Sequence, residues 1–301
     1  MTRMVYGAIL SNTVPLDINI WILAGTGFIA GLLGAMLGVG GGFMIVPILT
    51  LLGLPIQYAT CSSLISIVTN AATATAVHIR NHLTNLKLGL LLSTTLIPGA
   101  AIGAIIASSI SAPLLTIMFS LLLLYVAYYM LPRKQRRLTA AEIEEQKRVN
   151  EKSHASHAWL DGAYFDPAVN QEIGYQVHRP IPGLATSFFA GIVSSMFGIG
   201  GGIINVPVMN RVMKVPVKAT VATSGFLLLT TTMTGSLIYI YNGFLVPYVA
   251  GPLCISVFIG ARLGSMLAQR THTRILIIIF SCFMLLMAII MLLKGLQVIG
   301  G

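Results

Sequence analysis

Charge is what this sequence has least of. Of its 301 residues only 9% are Asp, Glu, Lys or Arg, against 56% apolar, where a soluble domain carries about 25% charged residues. Carboxylates are scarcest. Asp and Glu number 8 in all; apart from Asp17 they fall between Glu142 and Glu172, so the long apolar stretches contain none. Cation carriers and proton relays generally depend on intramembrane acids, and both are therefore disfavoured. Cysteine is scarce too. Cys61, Cys254 and Cys282 stand apart in apolar segments without C-x-x-C spacing, which excludes a disulfide framework and a thiolate metal site. The six histidines form no H-E-x-x-H. His78 and His82 have i, i+4 spacing, but a loop position beside Arg80 is expected to keep them off a shared helix face. No metal, no cofactor and no enzyme chemistry is expected, since paired acids, a metal cluster and an activated nucleophile are all missing from the apolar segments. No basic run, short apolar core and cleavage site follow one another at the N-terminus, so no cleaved signal peptide is expected.

Long apolar runs are what the sequence has in abundance, with a mean hydropathy of +0.88. Leu88–Ala107, Leu114–Leu131, Val246–Ala268 and Ile275–Leu293 approach or reach the roughly 20 residues that a helix needs to cross a bilayer. An all-α, polytopic protein of the cell membrane is predicted. The net charge of +10 then belongs to loops that orient helices and meet anionic headgroups. No stretch interleaves basic and aromatic residues as a nucleic-acid platform does.

The chain repeats itself. FIAGLLGAMLGVGGGFMIVP at 28–47 returns as FFAGIVSSMFGIGGGIINVP at 188–207. One residue further out of step, Pro55 pairs with Pro216, Ser63 with Ser224 and Thr69 with Thr230, and GAAIGAIIA at 99–107 pairs with GARLGSMLA at 260–268. The organisation predicted is a first membrane repeat over 1–131, a central loop over 132–181 and a second membrane repeat over 182–301. The central loop holds seven of the eight acidic residues. Thr139 and Glu142 have capping-box spacing for a short surface helix, and the part containing WLDGAYFDP reads as an ordered polar loop.

Loop charge predicts how the halves sit. RKQRR at 133–137 places the central loop in the cytoplasm. In the first half the Leu54–Gln57 loop is uncharged, the His78–Lys87 loop basic and the Ser108–Pro113 loop uncharged. In the second half the order reverses: Arg211–Lys218 is basic, Tyr241–Phe244 neutral and Gln269–Arg274 basic. An inverted-topology duplication gives such a reversal, with both termini extracytoplasmic. Residues 182–210 must then enter and leave the membrane on one face and 18–54 on the other. The returning arm Ile203–Met213 has eleven residues, or about 16 Å of helix at 1.5 Å per residue. That is half a bilayer, so two hairpins with glycine-rich tips near the midplane are expected.

The tips carry the candidate site. Gly40, Gly41 and Gly42 recur as Gly200, Gly201 and Gly202. Glycines expose backbone N–H groups without side-chain obstruction, and a following helix N-terminus adds unpaired amides and partial positive charge. Such ends accept anions; close packing of helices through small residues is the competing use of the same glycines. Thr60, Ser62, Ser63, Thr223 and Ser224 follow the Pro55 and Pro216 turns and offer neutral donors to an oxyanion, or back-bond to their own helices. Asn70, Asn205 and Asn210 are further polar candidates. Arg262, inside the Val246–Ala268 segment, attracts an anion or snorkels to the interface.

With these residues in view, the sequence resembles the sulfite exporter TauE/SafE family of membrane permeases. The duplicated G-x-G-G-G-x-x-x-V-P at 38–47 and 198–207, Ala222-Thr223-Ser224 and Gly260-Ala261-Arg262-Leu263-Gly264 carry the resemblance, which spans both halves. It implies export of a small sulfur-containing anion, such as sulfite or an organosulfonate, by alternating access, with the bilayer and that anion as the partners. An anion channel using the same tips, or a membrane scaffold with a cytoplasmic docking loop, remains the alternative.

Overall fold

The computed structural model describes residues 18–38, 40–80, 83–130, 160, 162–166, 171–267 and 273–300. The first repeat contains α1 (Ile20–Leu37), α2 (Gly42–Leu51), α3 (Ile56–Arg80), α4 (Leu86–Ser109) and α5 (Ala112–Met130). The second contains α6 (Pro180–Phe197), α7 (Gly202–Pro207), α8 (Val217–Tyr241), α9 (Pro247–Leu267) and α10 (Thr273–Gly300). Among the described residues α3, α4, α6, α8 and α9 are long and apolar enough to cross a membrane. The protein is mostly helical and multi-pass.

Helix ends follow local chemistry. Asn19 caps α1 by accepting the Trp21 N–H at 2.9 Å, and Asn85 caps α4 by accepting from Leu88 at 3.0 Å. Pro180 occupies the first turn of α6, where its missing N–H costs nothing. α1 and α6 end alike: Gly38 (φ 68°) and Gly198 (φ 67°) are left-handed, and each donates its N–H back into the last turn.

Three elements differ from the sequence reading. The arm expected over Ile203–Met213 is α7 followed by a π-helical turn at Val208–Val212, closed by Met213 N donating to Val208 O at 3.1 Å. Pro207 lacks the N–H that would continue α geometry, and the wider turn follows directly. His78 lies in the last turn of α3, not in a loop; His82 is outside the described residues. The polar stretch contains an antiparallel pair, β1 (Gly162–Asp166) with β2 (Gln171–Tyr175). Its Tyr, Phe and Ile residues favour strand, and Pro167 follows the end of β1. RKQRR, the capping box at Thr139 and residues 269–272 lie outside the described residues.

The halves exchange partners. Glycines let backbones touch where α1 lies on α9: a Cβ at Gly27 or Gly31 would strike Ser256 or Val257, and one at Gly260 or Gly264 would strike Phe28 or Leu32. Position numbers rise together, so α1 and α9 run in the same direction. α4 and α6 repeat this with Gly99 on Phe188 and Gly103 on Ile192. By contrast, α3 and α8 run oppositely, since Leu64 meets Gly235 while Thr75 meets Gly225.

Loops of one charge character gather together. Gln57 Nε2 donates to Ile110 O at 2.9 Å, and the Tyr58 and Phe244 rings meet edge-on at 5.3 Å, joining the three uncharged loops. Asn85 Nδ2 donates to Leu160 O at 2.9 Å and His178 N to Met213 O at 3.1 Å, joining two basic loops to the central segment. Leu88, Leu160, Val177, Met213 and Val215 form one buried cluster beneath them.

Candidate functional site

The two glycine tips meet. A Cβ at Gly42 would strike the carbonyl oxygen of Gly198, and Ser63 Oγ donates to that same oxygen at 2.8 Å. Each tip is faced by the other half. Thr60 and Ser63 of α3 stand against Gly198, while Val221 and Ser224 of α8, their counterparts in the repeat, stand against Gly38. The Val221 Cγ1 is 3.0 Å and the Ser224 Oγ 3.6 Å from where a Gly38 Cβ would lie.

The glycines of the two tips do different things. Gly40 (φ 87°) and Gly41 (φ 84°) are left-handed, a conformation that strains any L side chain. The first tip is filled by protein: a Cβ would meet Ile67 at Gly40 and the Ala30 carbonyl at Gly41, and Asn70 Nδ2 donates to Gly40 O at 3.1 Å. At the second tip Gly200 is left-handed (φ 70°), but Gly201 is right-handed (φ −65°) and Gly202 opens α7. The nearest atom to a Cβ at Gly201 is Asn205 Nδ2, at 3.1 Å.

Of the predicted side chains, Thr60, Ser63, Asn70, Asn205 and Ser224 are brought to the tips. Ser62 is buried on α3 and back-bonds to Tyr58 O at 3.0 Å. Thr223 is buried but turned toward the base of α4, where its Oγ1 accepts the Asn85 N–H at 3.1 Å. Arg262 is exposed on α9, off the glycine face that packs on α1.

Two side chains on the side of the second tip, Ser194 and Ser195, went unread in the sequence as site residues. Among the described residues eight buried side-chain atoms have no hydrogen-bond partner; three of them belong to side chains against this tip, Thr60 at Gly198 and Ser194 and Asn205 at Gly201, and a fourth, Ser195 Oγ, faces Gly235 of α8. Asn205 Oδ1 accepts from Ser187 at 3.3 Å, which leaves its Nδ2 free to donate. An unpaired buried polar group costs about 1–3 kcal/mol. The signal for Ser194 and Ser195 was present in the repeat, where they replace Gly34 and Ala35.

Residues 23–291 match the sulfite exporter TauE/SafE family. The chain belongs to this family. It is 28% identical over 287 residues to the probable membrane transporter protein YunE of Bacillus subtilis, covering 92% of this chain and 96% of that one. It is 26% identical over 283 residues to the probable membrane transporter protein MJ0441 of Methanocaldococcus jannaschii, covering 89% and 93%. No solved structure matches. The protein is a membrane transporter and not an enzyme.

Proposed function

We propose that the protein exports a small sulfur-containing anion, such as sulfite or an organosulfonate, by alternating access between two halves of inverted topology. The observation that carries this reading is the meeting of the two glycine tips, each faced by the long helix of the opposite half. A shift of one half against the other would move both tips at once, which is how inverted repeats expose a central site alternately. Antiparallel α3 and α8 support the inversion, because they are equivalent helices of the repeat.

The hairpin reading has similar support. His178 N donates to Met213 O, tying the start of α6 to the end of the π turn on the face of the basic loops. Tyr248 Oη lies 3.5 Å from Ile18 O, holding the start of α1 beside the uncharged loop that precedes α9. The gathered basic loops are the cytoplasmic face by the positive-inside rule. The sulfur anion follows the description of the family, and the neutral donors at the tips suit an oxyanion.

Two results test this. In proteoliposomes, uptake of radiolabelled sulfite should be protein-dependent and saturable, and absence of protein-dependent uptake would refute the substrate. In cells, on a background without Cys61, Cys254 and Cys282, Asn242→Cys should react with an impermeant maleimide from outside and Gly174→Cys should not. Equal labelling would remove the inverted arrangement.

A further inference from the structure

The repeat makes the two tips comparable position by position, and they are not chemically alike. The second tip and the packing beside it carry Thr60, Ser187, Ser194, Ser195 and Asn205: Thr60 contacts Gly198, Ser194 and Asn205 contact Gly201, Ser187 bonds to Asn205, and Ser195 faces Gly235 of α8. The repeat puts Val221, Gly27, Gly34, Ala35 and Ile45 at the corresponding positions of the first. Every polar side chain in the first group is replaced by one without a polar atom. The unpaired atoms follow the same division: Thr60 Oγ1, Ser194 Oγ, Ser195 Oγ and Asn205 Nδ2 are buried without partners, whereas the first tip's Asn70 donates to Gly40 O. Thr60, Ser194, Ser195 and Asn205 are all at most 1% exposed.

We infer that the substrate is held at the second tip alone, by Thr60, Ser194 and Asn205, and that it is a singly charged oxyanion. The inference rests on the proposed transport of a sulfur oxyanion and adds the site's position and its charge selectivity. Hydroxyls and an amide N–H are neutral donors suited to anion oxygens. Asn205 is held to this role because Ser187 occupies its carbonyl end, and its unpaired Nδ2 stands against Gly201, 3.1 Å from where a Cβ would lie. Among the described residues no side-chain cation lies against the tips: Arg262 is exposed on α9, and Lys294 Nζ donates to Thr50 O at 2.6 Å, at the end of α2. The cost of taking an ion from water grows with the square of its charge, so a site of neutral donors favours a monoanion over a dianion. At the first tip Asn70 is bonded to Gly40 O and Ser224 to Val221 O, which leaves that tip as packing for the second.

Methanesulfonate and sulfate test both parts, being tetrahedral sulfur oxyanions of similar size with one and two charges at neutral pH. Titration calorimetry on the full chain in nanodiscs should show methanesulfonate binding at least about tenfold tighter than sulfate. Thr60→Val and Ser194→Ala should each weaken methanesulfonate by roughly three- to tenfold. They should also raise the melting temperature of the unliganded protein, since each removes an unpaired buried hydroxyl. Thr60→Ser should retain affinity. Thr231→Val, which removes a buried hydroxyl bonded to Leu227 O, should leave affinity unchanged. Equal or tighter sulfate binding, or unchanged methanesulfonate affinity in both Thr60→Val and Ser194→Ala, would overturn the inference and leave the transport proposal standing. Binding of neither anion, together with no saturable sulfite uptake, would overturn both.

Discussion

Gly42→Ala is expected to destroy the fold, whereas Gly201→Ala is expected to leave a stable protein. At Gly42 one added methyl would be driven into the Gly198 carbonyl, with Ile67 Cδ1 at 2.7 Å and Ser63 Oγ at 2.9 Å on its other sides. Backbone carbonyls cannot swing away as side-chain ends can, so the tips would have to separate. Separation would also break the Ser63–Gly198 hydrogen bond. Overpacking alone costs about 1–3 kcal/mol, and a lost buried hydrogen bond adds roughly another 1–3. A loss on the order of 4 kcal/mol is an exceptional effect for a single substitution. Gly41→Ala should behave similarly, combining the Ala30 carbonyl with a left-handed backbone. Gly201 has helical φ, and its nearest neighbour is the end of a side chain. Size-exclusion profiles and thermal melting in detergent would measure this. A stable, monodisperse Gly42→Ala protein would show that the tips do not pack as described.

This contrast separates two uses of glycine that sequence alone leaves joined. The duplicated G-x-G-G-G motif was legible, and so were the helix stops at Gly38 and Gly198, because a glycine after an apolar run is a local signal. Which glycines pack against backbone and which against the end of a side chain was not legible, because it depends on contacts such as Ser63 to Gly198 across 135 positions of sequence. Grouping of the loops was legible from charge. The β1–β2 pair was hidden by the polarity of its surroundings, although Tyr, Phe and Ile were there to suggest it. Thr223 looked equivalent to the other hydroxyls, and only the packing of Asn85 against α8 shows where its oxygen is used. Ser194 and Ser195 could have been found by asking where the repeat fails, which is more informative here than where it holds.

In alternating access one site faces one side at a time, so unlabelled substrate inside competes with label for the way out, and this has a large kinetic signature. The account predicts it from two tips that share one contact and therefore move together. It also expects saturation, because the unpaired donors of one tip are few. A channel built on the same tips would conduct according to the gradient alone. The most direct measurement is counterflow. Proteoliposomes preloaded with unlabelled sulfite are diluted into a trace of radiolabelled sulfite, with the membrane potential clamped to zero. The account predicts that label rises transiently well above its equilibrium level inside and then decays, and that liposomes without the internal load show no such overshoot. Protein-dependent uptake that is linear in external sulfite and indifferent to the internal load would contradict it.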